Sequence, residues 1–107
     1  MNIEKLSTYW CKIIMAGDIA VAKQILRREV KTRGLCVTIE PTTFIYTGGE
    51  ELGFVVGLIN YPKFPKVESE VYNTSLELLS ILRYELYQDS ALLQTPETTE
   101  WFSDRSR

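Results

Sequence analysis

The run Tyr61-Pro62-Lys63-Phe64-Pro65-Lys66 constrains this chain more than any other segment. Its two prolines fix two φ angles and remove two amide donors, which denies the run to both helix and β-ladder. Regular elements must end before it or begin after it.

Ahead of it, Leu6 to Met15 is rich in aromatic and β-branched residues and reads as a strand. Gly17-Asp18 breaks that strand, and the Asp18 carboxylate can accept the free amides that open a helix. Ile19, Ala22, Ile25, Leu26 and Val30 form a helical stripe, with Gly34 as its left-handed stop. Leu35 to Glu40 returns to strand composition and is interrupted by Pro41. Thr43 to Thr47 predicts another strand, Gly48-Gly49 a hairpin with a primed turn, and Phe54 to Tyr61 the partner strand.

Beyond the proline run, an amphipathic helix is predicted from about Val67 to Tyr87, burying Val71, Leu78, Leu79, Leu82 and Leu86. Ser90 to Thr95 and Thr98 to Ser103 form a terminal hairpin around Pro96-Glu97. The order is β-α-β-β-β-α-β-β. Short turns favour an antiparallel sheet, and two helices favour covering one face of it. The expected fold class is α+β, a two-layer sandwich. With 107 residues the chain closes one core, a single domain over 1–107.

Charge and composition narrow the function. The chain has 12 Lys plus Arg, 14 Asp plus Glu and no histidine. Ser-His-Asp and Cys-His catalysis are thereby excluded within it, and the commonest metal ligand is missing. A net charge of −2 argues against a long nucleic acid as partner. The small net value hides an asymmetry. Residues 1–39 carry seven basic and three acidic side chains, a net +4, whereas residues 40–107 carry five and eleven, a net −6. Lys23, Arg27 and Lys31 stack like charges every four residues, an arrangement that an anionic ligand or an acidic neighbour would relieve. The plain alternative is a solvated helix face.

Cys11 and Cys36 lie in apolar stretches and read as reduced core thiols, unless neighbouring strands bring them together as a disulfide. Met1-Asn2-Ile3-Glu4-Lys5 begins no signal peptide, and no run approaches the ~20 apolar residues of a membrane span. The expected location is cytoplasmic, with no membrane partner.

Four features could carry chemistry. The proline loop interleaves the rings of Tyr61 and Phe64 with Lys63 and Lys66, a composition suited to stacking a base and meeting a phosphate. It is equally a connection whose Phe64 plugs the core. Asn60 could bind a ribose or cap the turn. Tyr46-Thr47-Gly48-Gly49-Glu50-Glu51 lacks the pattern of a phosphate loop, and its adjacent carboxylates point apart, so it reads as a hairpin turn. Trp10, Trp101 and Phe102 belong to core or interface, and an edge strand bearing Trp101 makes a homo-oligomer plausible, a dimer or higher.

The segments Tyr9-Trp10-Cys11-Lys12-Ile13, Gly17-Asp18-Ile19, Gly34 to Thr42, Phe44 to Glu51, Gly57 to Pro65 and Trp101-Phe102-Ser103 resemble the first type of the phage-encoded Thoeris anti-defence family. The resemblance runs from about Leu6 to Arg105, and Gly57-Leu58-Ile59-Asn60-Tyr61-Pro62-Lys63-Phe64-Pro65 is its most specific part. It implies a non-enzymatic sponge that sequesters a small cyclic nucleotide, a cyclic ADP-ribose isomer and in some members a cyclic oligonucleotide as well. With no histidine, no CxxC pair and no DxDxDG-like run, no metal and no cofactor are expected. The expected ligand-binding residues are Asn60, Tyr61, Lys63 and Phe64 from the motif, with Arg27, Arg28 and Arg105 added for their charge. Two other readings compete. One is a protein-interaction module that plugs a host protein through its acidic half. The other is a nucleotide-degrading enzyme using Glu50, Glu51 or Asp104 as acid or base.

Overall fold

The structure is a computed structural model that describes residues 1–104. Its elements are β1 (Trp10–Ala16), α1 (Ile19–Arg33), β2 (Val37–Tyr46), β3 (Gly49–Ile59), α2 (Glu68–Glu85), β4 (Ser90–Gln94) and β5 (Thr99–Ser103). The strands form one sheet in the order β2-β3-β1-β4-β5, and every neighbouring pair is antiparallel. β3 lies between β1 and β2, and β1 lies between β3 and β4. Each helix therefore connects two strands held apart by a third, a double split βαβ arrangement. The expected α+β architecture, an antiparallel sheet with two helices, is what forms.

Local chemistry sets the boundaries. The Asp18 carboxylate accepts from the amides of Ala20 at 2.8 Å and Val21 at 3.4 Å, which starts α1. Gly34 ends it at φ 56°, ψ 61°, a left-handed conformation that costs glycine nothing. α2 ends less cheaply. Tyr87 takes φ 56°, and the amides of Tyr87 and Gln88 turn back to the carbonyls of Tyr84 and Arg83. That is a Schellman ending built on a bulky residue, where glycine is usual.

The segments expected as two strands on either side of Pro41 form one, β2. Pro41 sits opposite Phe54 within the ladder. It is tolerated because β2 is a sheet edge, where a missing donor can face outward. The hairpin closes through Thr47 and Gly48, with Gly48 at φ 98° and Thr47 outside the positive-φ region. A primed turn would need positive φ at Thr47, so the turn differs from the one expected.

Alternation divides the sheet into two faces. Cys11, Ile13, Met15, Phe54, Val56, Leu58, Ala91 and Leu93 point toward the helices and are buried with Ala22, Ile25 and Leu26 of α1 and Val71, Leu78, Leu79 and Leu82 of α2. The helices are also joined by charge. Arg28 makes a two-pronged pair with Glu85, and Arg33 pairs with Glu77. Glu29 adds contacts to Arg28 at 3.0 Å and to Arg33 at 3.2 Å. Acidic α2 thus supplies the neighbour for part of the basic helix.

The other face has no helix over it among the described residues. There Val55, Ile14, Leu92 and Trp101 form a row across four strands, each in register with the next. No helix of the described residues is long and apolar enough to cross a membrane. Cys11 is buried, Cys36 is half-buried, and both are free thiols.

Candidate active site

The uncovered face holds a cleft of about 330 Å³ near the β2–β3 turn. Ile14 and Ala16 of β1 and Leu92 of β4 form its apolar floor. Phe44 and Tyr46 of β2 stand on one side, Trp101 of β5 on the other, and Gln88 and Asp89 of the α2–β4 turn lie at the end.

Tyr46 and Glu51 form a hydrogen-bonded pair in the lining of the cleft. The phenol oxygen of Tyr46 donates to Oε1 of Glu51 at 3.0 Å. Hairpin register explains the pairing. Tyr46 faces Gly49, so Glu51, two residues on, lies on the same face and diagonally across from Tyr46. Glu50 faces Ile45 and points to the other side of the sheet. The hydrogen bond to Glu51 keeps the Tyr46 phenol protonated and pushes its pKa above the ordinary value.

Phe44 reaches the cleft because Gly53 has no side chain. A Cβ there would stand 2.6 Å from the Phe44 ring and 2.3 Å from the Met15 carbonyl. The far end of the cleft is fastened by Arg83. Its guanidinium donates to the Asp89 carbonyl at 2.9 Å and pairs with Asp104 at 2.8 Å, while the Asp104 amide donates to the same carbonyl. This joins the end of β5 to the turn that carries Asp89. Asp104, a candidate acid–base residue by sequence, is thus a structural anchor.

The residues expected to bind ligand fall elsewhere. Asn60 is a staple: its side-chain amide donates to the Ser7 carbonyl at 3.0 Å and its oxygen accepts from the Lys66 amide at 2.9 Å. Tyr61 and Phe64 close a tight turn, with ring centroids 6.3 Å apart, and Phe64 packs beside Gly34 at the end of α1. Lys63 is exposed. Arg28 is engaged with Glu29 and Glu85, and Arg27 lines a separate groove between α1 and β2. Arg105 lies outside the described residues. The structure brings Asn60, Tyr61 and Phe64 into one loop, and Arg28 faces α2 instead of that loop.

Sequence reasoning did not pair Tyr46 with Glu51. The signal was present, since a two-residue turn at Thr47-Gly48 obliges residues 46, 49 and 51 to share a face.

The chain is thus a small α+β protein with an aromatic, acidic cleft on the bare face of its sheet. The same fold is found in phage SAM lyase. The apo structure of that protein matches with a TM-score of 0.77 and 13% identity, over 100% of this chain and 99% of the other. Its complex with S-methyl-5'-thioadenosine matches with a TM-score of 0.74 and 11% identity, over 96% of each chain. No family model matches the sequence, and no curated relative does. These matches correct the expectation of a protein that is not an enzyme: the fold shared along the whole chain is that of a lyase. The missing histidine excludes Ser-His-Asp and Cys-His catalysis, and it does not exclude chemistry by other groups. A tyrosine–carboxylate pair lines the cleft instead.

Proposed function

We propose that this chain is a lyase that cleaves S-adenosylmethionine and leaves S-methyl-5'-thioadenosine. The observation that carries the reading is the lining of the cleft. Phe44, Tyr46 and Trp101 offer rings, Glu51 and Asp89 offer carboxylates, and none of the lining residues is basic. A pyrophosphate would meet two like charges there. A sulfonium nucleoside would instead set its adenine against a ring and its positive sulfur near rings and a carboxylate. The volume falls at the small end of the ~300–1,000 Å³ typical of small-molecule sites. The likeness of fold to a SAM lyase supports the same substrate class.

The chemistry needs no histidine, because a sulfonium is already a good leaving group. The electron pair of the bond between sulfur and the amino-acid chain moves onto sulfur and cancels its charge. The carbon left behind recovers electrons in one of two ways. Either Glu51 takes a proton from the adjacent carbon and a double bond forms, or the substrate's own carboxylate closes onto that carbon as a lactone. Glu51 is the proton acceptor in the first route and positions the cation in the second. In both routes Tyr46 holds Glu51 in place.

Incubation of the protein with S-adenosylmethionine, followed by mass spectrometry, tests the reading. Appearance of methylthioadenosine with a vinyl or lactone four-carbon fragment supports it and tells the routes apart. Return of the substrate intact refutes it.

A homo-oligomer belongs to the same proposal. Ile14, Leu92 and Trp101 line the cleft, and with Val55 they leave an apolar row open on this face, Trp101 being 45% exposed. A second copy laid on this face would cover the row and close the cleft. Light scattering on the purified protein checks this, and a monomeric mass removes it.

A further inference from the structure

The chain has a second groove, on the opposite side of the sheet from the cleft. It holds about 390 Å³ between α1 and β2. Its walls are Leu26, Val30, Leu35, Val37 and Ile39, most of them only half-buried. Lys23 and Arg27, one helical turn apart, stand on its rim and are exposed.

The charges on α1 sort into two groups. Arg28 and Arg33 are matched by Glu29, Glu77 and Glu85. Among the described residues Lys23, Arg27 and Lys31 have no ion-pair partner, and of these Lys23 and Arg27 border the groove. Acidic α2 answers one side of the basic helix and leaves the other side to face the groove. Two like charges spaced four residues apart repel each other, a cost that stays uncompensated in the free protein.

We propose that this groove is a second ligand site, for a small amphipathic anion. The apolar body would lie along Val30, Leu35, Val37 and Ile39, and the carboxylate or phosphate head would sit between Lys23 and Arg27. A hydrophilic anion lacks the body to cover the walls, and an uncharged alkyl chain leaves the two cations unmet. The site lies across the sheet from Tyr46 and Glu51 and shares no lining residue with the cleft. It stands or falls independently of the lyase reading.

Cys36 reports on the groove. It lines the wall and is half-buried, whereas Cys11 is fully buried, so alkylation of the folded protein reads Cys36. The full chain is treated with iodoacetamide alone and with octyl phosphate, octanol or inorganic phosphate, and labelling of Cys36 is followed by mass spectrometry. A parallel titration follows the backbone amides by NMR. Octyl phosphate should protect Cys36 saturably and shift the amides of residues 35–39, while octanol and inorganic phosphate do neither. In the Lys23→Glu/Arg27→Glu double variant the half-saturating concentration should rise about tenfold or more, as loss of charge-assisted contacts requires. Amide shifts confined to the Ile14–Trp101 side, no saturable shift at residues 35–39, equal effects of octanol, or unchanged affinity in the double variant would each overturn the proposal.

Discussion

The Tyr46 phenol meets the Glu51 carboxylate at 3.0 Å because a two-residue turn sets Tyr46 opposite Gly49. A hairpin turn thereby becomes the acidic corner of a cleft. If Glu51 accepts a proton or holds the sulfonium, Glu51→Gln keeps the shape and removes the charge. Cleavage of S-adenosylmethionine should then fall about 10²–10⁴-fold, the range for loss of a general base. Tyr46→Phe should cost less, because Glu51 keeps its charge. Steady-state kinetics with the melting temperature measured in parallel checks both, and full activity in Glu51→Gln would remove that residue from the site.

Trp101 stands in register with Leu92 and lines the same cleft. Stacking of a base on an aromatic ring contributes about 1–3 kcal/mol. Trp101→Ala should therefore raise the Kd for methylthioadenosine by about 5- to 150-fold, measured by calorimetry. An unchanged Kd would show that the base sits elsewhere.

Gly53 is required by space, with the Met15 carbonyl 2.3 Å and the Phe44 ring 2.6 Å from where a Cβ would be. Gly53→Ala must push strand β1 or the ring aside, at a cost of about 1–3 kcal/mol for overpacking. Denaturant unfolding reads the loss. Displacement of Phe44 should also weaken methylthioadenosine binding. A variant with unaltered stability and binding would contradict the packing described.

Stability should depend on acid through the contact between the helices. Hydrogen bonds from Arg28 hold the carboxyls of Glu85 and Glu29 below their ordinary value of 4.5. At such pH the unfolded chain binds protons that the folded one excludes. The contribution is therefore complete at neutral pH and lost as pH falls below that value. The melting temperature should drop on acidification to about pH 3, and Arg28→Gln should flatten that drop. Equal slopes in the two proteins would show that the pair contributes nothing.

Much of the fold was legible because its signals are local. Asp18 and Gly34 bracket α1 by capping chemistry, and Pro62 and Pro65 hold the space between β3 and α2 open. Pro41 misled, because a proline reads as a stop until the strand is known to lie at the sheet edge. The site was less legible for a different reason. Glu50 and Glu51 point apart, as neighbours on a hairpin do, yet the place of Glu51 in the cleft depends on a partner across the turn and on Trp101 and Asp89, far along the chain. Only the position of β1 between β3 and β4 brings those segments together, and no hydrophobic period encodes strand order. Asn60 illustrates the converse. By sequence its amide can bind a ribose or cap a turn, and in the fold it bonds to Ser7 and Lys66.

The most direct measurement is the mass of the small molecules recovered after the pure protein has been held with S-adenosylmethionine. The account predicts methylthioadenosine and a four-carbon amino-acid fragment, with turnover beyond one equivalent and lost in Glu51→Gln. Recovery of S-adenosylmethionine unchanged, free or bound, would contradict it.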